Sequence, residues 1–407
     1  MADTYPTLGT QSSGFSEYGT ATRRIFVPEV FEKKMRHQIQ NDTFFSKFMG
    51  KKGEFSPLTV TDALKKEAGD NIKMPLLPFL DAEGRPGDLI LVGNEEPVEL
   101  AYQRVHVNQI RNATTTHGKM SDQRGIFKML DLFQPALTQW WINQFDESLF
   151  WTIYYGYPAH INASVAYGGL AINTHIARPA RYWYCADETN NSITYSSTDA
   201  TYESAIETAE GTLANAETDL MSPSVISGIC EKMRVLNIPQ CNYNGIQGYI
   251  AILHPYQISQ LRKHTDWFTA MCNAAARDEK NNLIFAGLHS GKYMGEWAGV
   301  HIFESNMIHD AYPTAKFTDS TTINGAGATQ GPLIRRAIFL GAGAVLVARA
   351  AEPHFEFELR DYKNYKGIAV AGIYGAARAD YVLDTSAATL YAQSVVVVST
   401  YSPATVI

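Results

Sequence analysis

From Ser121 to Ile153, apolar residues recur at steps of three or four: Ile126, Leu130, Phe133, Leu137, Trp140, Trp141, Phe145, Leu149 and Ile153. That is the period of one apolar stripe on an α-helix, sustained well past a common helix length. Ser121 suits the N-cap and Asp122 the positive end of the helix dipole. Pro135 predicts a kink, and Gly156 with Pro158 predict the end. Immediately before this helix stands a segment of opposite character. "NIKMPLLPFL" reads as an outgoing strand and "VELAYQRVHVNQI" as its return, so residues 71–111 form a long hairpin. The chain therefore joins a long polar hairpin directly to a long amphipathic helix, with Thr114 to Gly118 as the joint.

The hairpin tip, "DAEGRPGDLILVGNEEP", holds three glycines, two prolines and five acids, which argues against a core position. Loops of that length are uncommon in compact domains and are usually functional. Leu100, Tyr102, Val105, Val107 and Ile110 alternate with one phase slip, which predicts a bulge. Residues 1–27 are polar and read as an extended arm. Pro28 opens a helix to Phe48, with Gly50 and Gly53 ending it. Residues 157–200 read as a surface insertion or loosely structured subdomain. Helices are expected over 201–218 and 222–236, the second started by Ser222-Pro223. "GYIAILHP" reads as a buried strand, followed by a helix in "PYQISQLRKH". "WAGVHIFESN", "RRAIFLGAGAVLVARA", "HFEFELRD", "GIAVAGIYGAARADYV" and "AQSVVVVSTYS" read as strands, with Phe355, Phe357 and Leu359 alternating. The class is α+β.

The 407 residues allow a sizeable core, and 45% are hydrophobic. Charged residues are only 18%, below the usual quarter or so, a composition that suits surface covered by partners. The net charge of −7 and the lack of any Lys/Arg run beyond pairs argue against direct DNA binding. Cys185, Cys230, Cys241 and Cys272 stand far apart, as buried free thiols do in a reducing compartment. The N-terminus lacks the basic and apolar regions of a signal peptide, and no apolar run approaches a membrane span. A soluble chain made in a cytoplasm is the expectation.

No motif demands chemistry. "FLGAGAVL" begins like a dinucleotide loop, but Leu346 stands where the third glycine belongs; its glycines read as sites of close backbone approach. "AGLHSGKY" has Ala286 and Tyr293 in place of the first glycine and the hydroxyl of a phosphate loop. His254, His264 and His289 lack metal-ligand spacing and read as capped or satisfied histidines. Glu95-Glu96, on a wet tip, would lack the burial that raises a carboxyl pKa. No catalytic residue, cofactor or metal is expected.

The order of arm, charged hairpin, long helix and α+β body resembles the major capsid proteins of tailed phages with the HK-97-type fold, most of all the coat-protein family of phage N-four (Enquatro-type). The shared elements are Gly84, Gly87, Gly93, Glu95 and Glu96 at the tip, then Arg111, then Gly118-Lys119-Met120-Ser121-Asp122-Gln123-Arg124. Tyr249 to Pro255 and "FELRDYKNYKGIAVAGIYGAARAD" also match. The resemblance implies an N-terminal arm over 1–50, an E-loop hairpin over 51–112 and a P-domain spine helix over 113–160. It further implies an A-domain with insertions over 161–350 and a return to the P-domain over 351–407. It implies subunit contacts through Arg85, Asp88, Glu95, Glu96, Arg111, Lys119 and Arg124 at hairpin and joint, and through Arg23, Arg24 and Phe31 in the arm. The implied role is a shell of pentamers and hexamers enclosing double-stranded DNA without sequence-specific binding. A separate scaffolding protein, a portal and a decoration protein are the implied partners, with no membrane. Two alternatives stay open: an encapsulin-like nanocompartment shell and an α+β enzyme with a lidding hairpin.

Overall fold

The computed structural model describes residues 43–51, 55–65, 69–76, 100–116, 118–124, 129–158, 180–186, 199–213, 217–243, 245–275, 293–308, 334–383, 390–391 and 394–402, with positions 84, 86, 87, 92 and 95. In chain order the first strands are β1 (Met49–Gly50), β2 (Leu58–Thr61), β3 (Asn71–Leu76), β4 (Ala101–His106) and β5 (Asn108–Thr115). Helices α1 (Lys119–Arg124) and α2 (Met129–Tyr155) follow, then β6 (Tyr182–Cys185), α3 (Asp199–Glu210) and α4 (Pro223–Val235). Next come β7 (Cys241–Tyr243), β8 (Ile246–Leu253), α5 (Pro255–Lys263), α6 (Thr265–Ala275), β9 (Tyr293–Trp297) and β10 (Val300–Glu304). The chain closes with β11 (Ile334–Leu340), β12 (Val345–Arg360), β13 (Tyr365–Arg378), β14 (Tyr381–Leu383), β15 (Leu390–Tyr391) and β16 (Val395–Tyr401).

Three sheets result among the described residues. One has the order β1-β2-β12-β13-β5, one β6-β16-β11-β8-β10-β9 with β7 on β8, and one β15-β14-β4-β3. Helix α2 runs between the first two. Near its start it lays Leu137, with Phe133, Trp140 and Trp141, over Ile368 and Val370 of β13. Further along, Asp146, Ser148, Leu149, Phe150, Thr152, Ile153, Tyr154 and Tyr155 are all buried. A single apolar stripe was expected there. The second half of the helix is instead covered on most sides, with Glu147 left exposed, because Val345 and Val347 of one sheet and Ile250, Ile338 and Val397 of the other pack into one core with it. Its buried hydroxyls are satisfied locally: Thr152 donates to the Ser148 carbonyl at 2.7 Å, and Tyr374 to the Ser148 hydroxyl at 3.0 Å.

The predicted start of the helix also shifts. Ser121 lies inside α1, which begins at Lys119, so Ser121 is not its cap. Residues 125–128, with Ile126, lie outside the described residues. At the other end, the guanidinium of Arg378 donates to the carbonyls of Ile153 at 3.3 Å and Tyr154 at 3.0 Å, two groups the helix leaves without partners. Asp380 accepts from the same guanidinium at 2.6 Å. Close by, the fully buried Arg336 makes a bidentate pair with Glu210 at 2.7 and 2.8 Å and donates to the Tyr155 hydroxyl at 3.0 Å.

The hairpin strands β3 and β4 pair antiparallel from Asn71↔His106 to Leu76↔Ala101. The phase slip predicted as a bulge is a change of sheet. Val107 donates to the Asp70 carbonyl at 3.0 Å, and β5 then joins β13 instead. The crossing is close enough that a Cβ on Gly375 would fall 1.8 Å from the His106 carbonyl oxygen. The hairpin sheet is therefore narrower than residues 51–112, since β2 and β5 belong to the five-stranded sheet.

The segment 351–407, expected to return to the P-domain, is shared among the three sheets. The end of β12 and β13 stay in the five-stranded sheet, β14 and β15 extend the hairpin sheet, and β16 enters the seven-stranded sheet. The reason is the uniform burial of Val395–Tyr401, which suits a strand covered on both faces. Part of the expected insertion is structural too. β6 pairs parallel with β16, Trp183 is buried, and its indole N–H donates to Ser399 Oγ at 2.9 Å.

Ser222 caps α4 as expected, accepting from Val225 N–H at 3.3 Å. The predicted helix from Pro28 to Phe48 is described only at its end, where 44–48 is a 3-10 turn with Phe44, Phe45 and Phe48 buried. Gly341 of "FLGAGAVL" serves close approach, whereas Gly343 takes φ +65° with open space where a Cβ would stand. A Cβ on Gly341 would lie 2.5 Å from Ile238 Cγ2, and Ala342 donates to the Pro239 carbonyl at 2.9 Å.

Candidate assembly surfaces

The joint between hairpin and helix is clamped. Thr116 N–H donates to the Lys366 carbonyl at 2.9 Å, and Lys366 N–H donates back to Thr116 Oγ1 at 3.2 Å. Gly118 then adopts φ +109°, which a side chain rarely tolerates. Asn364 Oδ1 accepts the Lys119 N–H at 3.2 Å. The α1 start thus rests on the end of the β12/β13 hairpin.

That hairpin end is unusual. Asp361, Tyr362 and Lys363 all have positive φ, at 48°, 50° and 69°. Three consecutive non-glycine residues in this region carry backbone strain. Asn364 holds the turn by donating its N–H to the Asp361 carbonyl at 2.8 Å and its side-chain amide to the Asp361 carboxylate at 3.2 Å. What the turn presents is apolar: Phe357 is 67% exposed, Leu359 56% and Tyr362 100%. Large apolar groups clustered on a protrusion mark a contact surface.

On the other face of the same strands the register puts Glu358 beside Gly367 and Thr115, and Glu356 beside Ala369 and Ala113. Small residues down the central strand leave a trough of about 620 Å³, walled by Glu356 and Glu358 on one side and Arg111 on the other. Arg360 donates to Glu358 at 2.6 Å and holds that carboxyl below the usual range.

Among the residues singled out in the sequence, Arg111 stands exposed on β5 and lines this trough, and Lys119 stands exposed at the start of α1. Glu95 is exposed. Only the backbone of Arg124 is described, and Arg23, Arg24, Phe31, Arg85, Asp88 and Glu96 lie outside the described residues. The structure sets Arg111 across one trough from Glu356 and Glu358, and bonds the Lys119 N–H to Asn364. None of these three partners stood out in the sequence, although "HFEFELRD" carried the signal: acids on one face of a strand and aromatics on the other.

The histidines behave as caps or core residues. His254 Nδ1 accepts the Tyr256 N–H at 3.2 Å, and Gln257 returns a bond to the His254 N–H at 2.9 Å, closing a capping box on α5. Burial, reinforced by Arg335, lowers its pKa to about 4. His264 likewise accepts the Asp266 N–H, and His289 lies outside the described residues. Cys185, Cys230 and Cys241 are buried free thiols, and burial pushes Cys241 up to about 12, far from the reactive range. Cys272 lies on α6 with its side chain outside the description. No described helix is long and apolar enough to cross a membrane.

A long helix laid on a protruding two-stranded hairpin, a side hairpin rooted beside it and a separate seven-stranded sheet make up the HK-97-like capsid fold. Solved structures align with that arrangement along nearly the whole chain. The capsid asymmetric unit of cyanophage Pam1 superposes with a TM-score of 0.69 at 18% identity, covering 100% of both chains. The capsid of Ralstonia phage GP4 gives 0.60 at 20% identity, over 95% of this chain and 97% of its own. Residues 28–404 match the family described as phage capsid protein, and the chain belongs to that family. It is also 22% identical over 354 residues to the major capsid protein of Pseudomonas phage KPP25, covering 85% of this chain and 87% of that protein. The chain is thus a structural protein of a virion, not an enzyme, and works by associating with copies of itself in a shell.

Proposed function

We propose that the chain is a major capsid protein whose pentamers and hexamers close an icosahedral shell around phage double-stranded DNA. In this reading the five-stranded sheet with α1 and α2 is the P-domain. The seven-stranded sheet with its helices is the A-domain, the β3/β4 hairpin is the E-loop, and the residues before β1 are the arm. The observation that carries it is the β12/β13 end, where a strained, internally braced turn holds Phe357, Leu359 and Tyr362 out of the subunit. Such a surface gains most when covered by another copy, and contacts between unlike patches close into rings.

In the same reading the hairpin tip lies over a neighbour, with Arg85, Asp88, Glu95 and Glu96 as contacts. Arg111, Lys119 and Arg124 act at its root, and Arg23, Arg24 and Phe31 act from the arm. A net charge of −7 keeps the inner wall from gripping packaged DNA. A separate scaffolding protein, a portal and a decoration protein complete the particle, and the chain is made in the host cytoplasm.

The test is negative-stain electron microscopy of the expressed protein, alone and with the scaffolding protein from the same genome. Closed shells of uniform size or flat rings support the proposal; discrete monomers in both conditions overturn it. Deleting residues 80–96 is expected to stop assembly and leave a folded monomer, and normal shells from that deletion would remove the hairpin from the model.

A further inference from the structure

A groove of about 490 Å³ opens between α2 and the bulged part of β12. It is lined by the apolar residues Trp141, Ile142, Phe145, Phe355 and Val370, and by Thr43, the first described residue of the chain. We infer that the chain's own residues 35–42 fill this groove, with Met35 and Ile39 as the inserted side chains. The stretch from Met35 onward is then fixed to its own subunit, and Phe31 with the residues before it stays available to reach another.

The anchoring of Phe44 and Phe45 at one edge of the groove is what singles out this occupant. Phe44 N–H donates to the buried Asp146 carboxylate at 2.8 Å, one turn along α2 from Ile142. Phe44 and Phe45 pack on Phe150, with ring centroids 5.9 and 4.8 Å away. The chain is therefore pinned at the groove's edge. Ile39, four residues upstream, is within about 14 Å of Thr43 even when fully extended. Met35 is within about 12 Å along a helix.

The upstream sequence has the pattern such a groove selects. Phe31, Met35 and Ile39 recur every four residues, while Glu32, Lys33, Lys34 and Arg36 fall between them. An amphipathic segment with anchors at that spacing is the usual occupant of an apolar groove. The family match also begins at residue 28, so these residues belong to the matched unit rather than to a separate extension. A tether this short gives a millimolar effective concentration, which favours the chain's own segment over a copy in dilute solution.

The test is disulfide trapping in dilute, unassembled protein, so its outcome is separate from whether shells form. Ile39→Cys and Met35→Cys are each paired with Ile142→Cys, or with Thr138→Cys at the groove's exposed edge should Ile142→Cys not fold by circular dichroism. Tyr362→Cys on the distant hairpin end replaces the groove partner in the control. After mild oxidation, peptides are identified by mass spectrometry and chains by non-reducing electrophoresis. The expected result is an intrachain link for at least one groove pair, forming about tenfold or more faster than the control. Links between chains would hand the groove to a neighbour's segment and overturn the inference. So would groove pairs that link no faster than the control.

Discussion

Asn364 Oδ1 accepts the Lys119 N–H at 3.2 Å, so the first turn of α1 begins on the end of the β12/β13 hairpin. Removing that acceptor with Asn364→Ala should lower stability by about 1 kcal/mol, since Asn364 also braces the turn through Asp361. Asn364→Asp keeps the acceptor for Lys119 but sets a second carboxylate against Asp361, and should be no more stable than Asn364→Ala near neutral pH. Gly118→Ala adds a left-handed strain at φ +109° and should cost about 1–2 kcal/mol. Urea midpoints at unchanged slope would measure all three.

The meeting of hairpin sheet and five-stranded sheet leaves no room at Gly375. A Cβ there would sit 1.8 Å from a backbone oxygen, which cannot rotate away as a side chain can. Gly375→Ala should therefore cost about 3 kcal/mol or more and part the two sheets at Val107. Limited proteolysis, with new cutting near 107–108, is the direct readout; a wild-type digestion pattern would contradict the crossing.

The Arg336–Glu210 pair is wholly buried, with relative exposures of 1% and 0% at its side chains. Glu210→Ala strands a guanidinium among Trp183, Tyr154 and Tyr155 and should cost about 3–5 kcal/mol. Replacing both, Glu210→Leu with Arg336→Met, should recover much of that loss, because the desolvation of both charges disappears together. Comparing the single and double variants in denaturation tests it.

Acid should loosen the seven-stranded sheet at α5. His254 is held near 4 in the fold, first by burial and then by Arg335, against about 6.5 in an unfolded chain. Above pH 6.5 both states are neutral and the contribution is complete. As pH falls from 6.5 toward 4 the unfolded chain takes the proton first, and stability is lost, by roughly 1–2 kcal/mol once partial exposure is allowed for. His301, lowered chiefly by burial, acts in the same direction. His254→Asn keeps a cap acceptor and should flatten the slope of melting temperature against pH over that interval.

The exposed apolar end makes a different kind of prediction. Phe357→Ser, Leu359→Ser and Tyr362→Ser together touch little within the subunit and should leave its unfolding nearly unchanged, within about 1 kcal/mol. Particle yield by sedimentation should fall to background. A large stability change would mean that these side chains serve the subunit rather than its contacts.

What the sequence made legible was local. The apolar period of α2, the Ser222 and His254 caps and the strands β3 and β4 all follow from residues within a few positions of one another. What stayed hidden depends on distant partners. β6 has only four residues, and its pairing of Trp183 with Val397 spans half the chain. The near-complete burial of Leu149 to Tyr155 comes from two sheets whose strands lie hundreds of residues apart. At the candidate surfaces, Arg111 and Lys119 stood out through resemblance, while Glu356, Glu358 and Asn364 did not. An acid on a strand face or an asparagine in a turn becomes informative only when its neighbour across the register is known.

The sheets also set a timetable. In the seven-stranded sheet β16, late in the chain, lies between β6 and β11 as an inner strand. In the five-stranded sheet β5 has to wait for β13. The five-stranded sheet cannot close before residue 378 has emerged from the ribosome, and α2 lacks its full cover until residue 401 has. Chains short of those residues carry no finished surface with which to enter a growing shell.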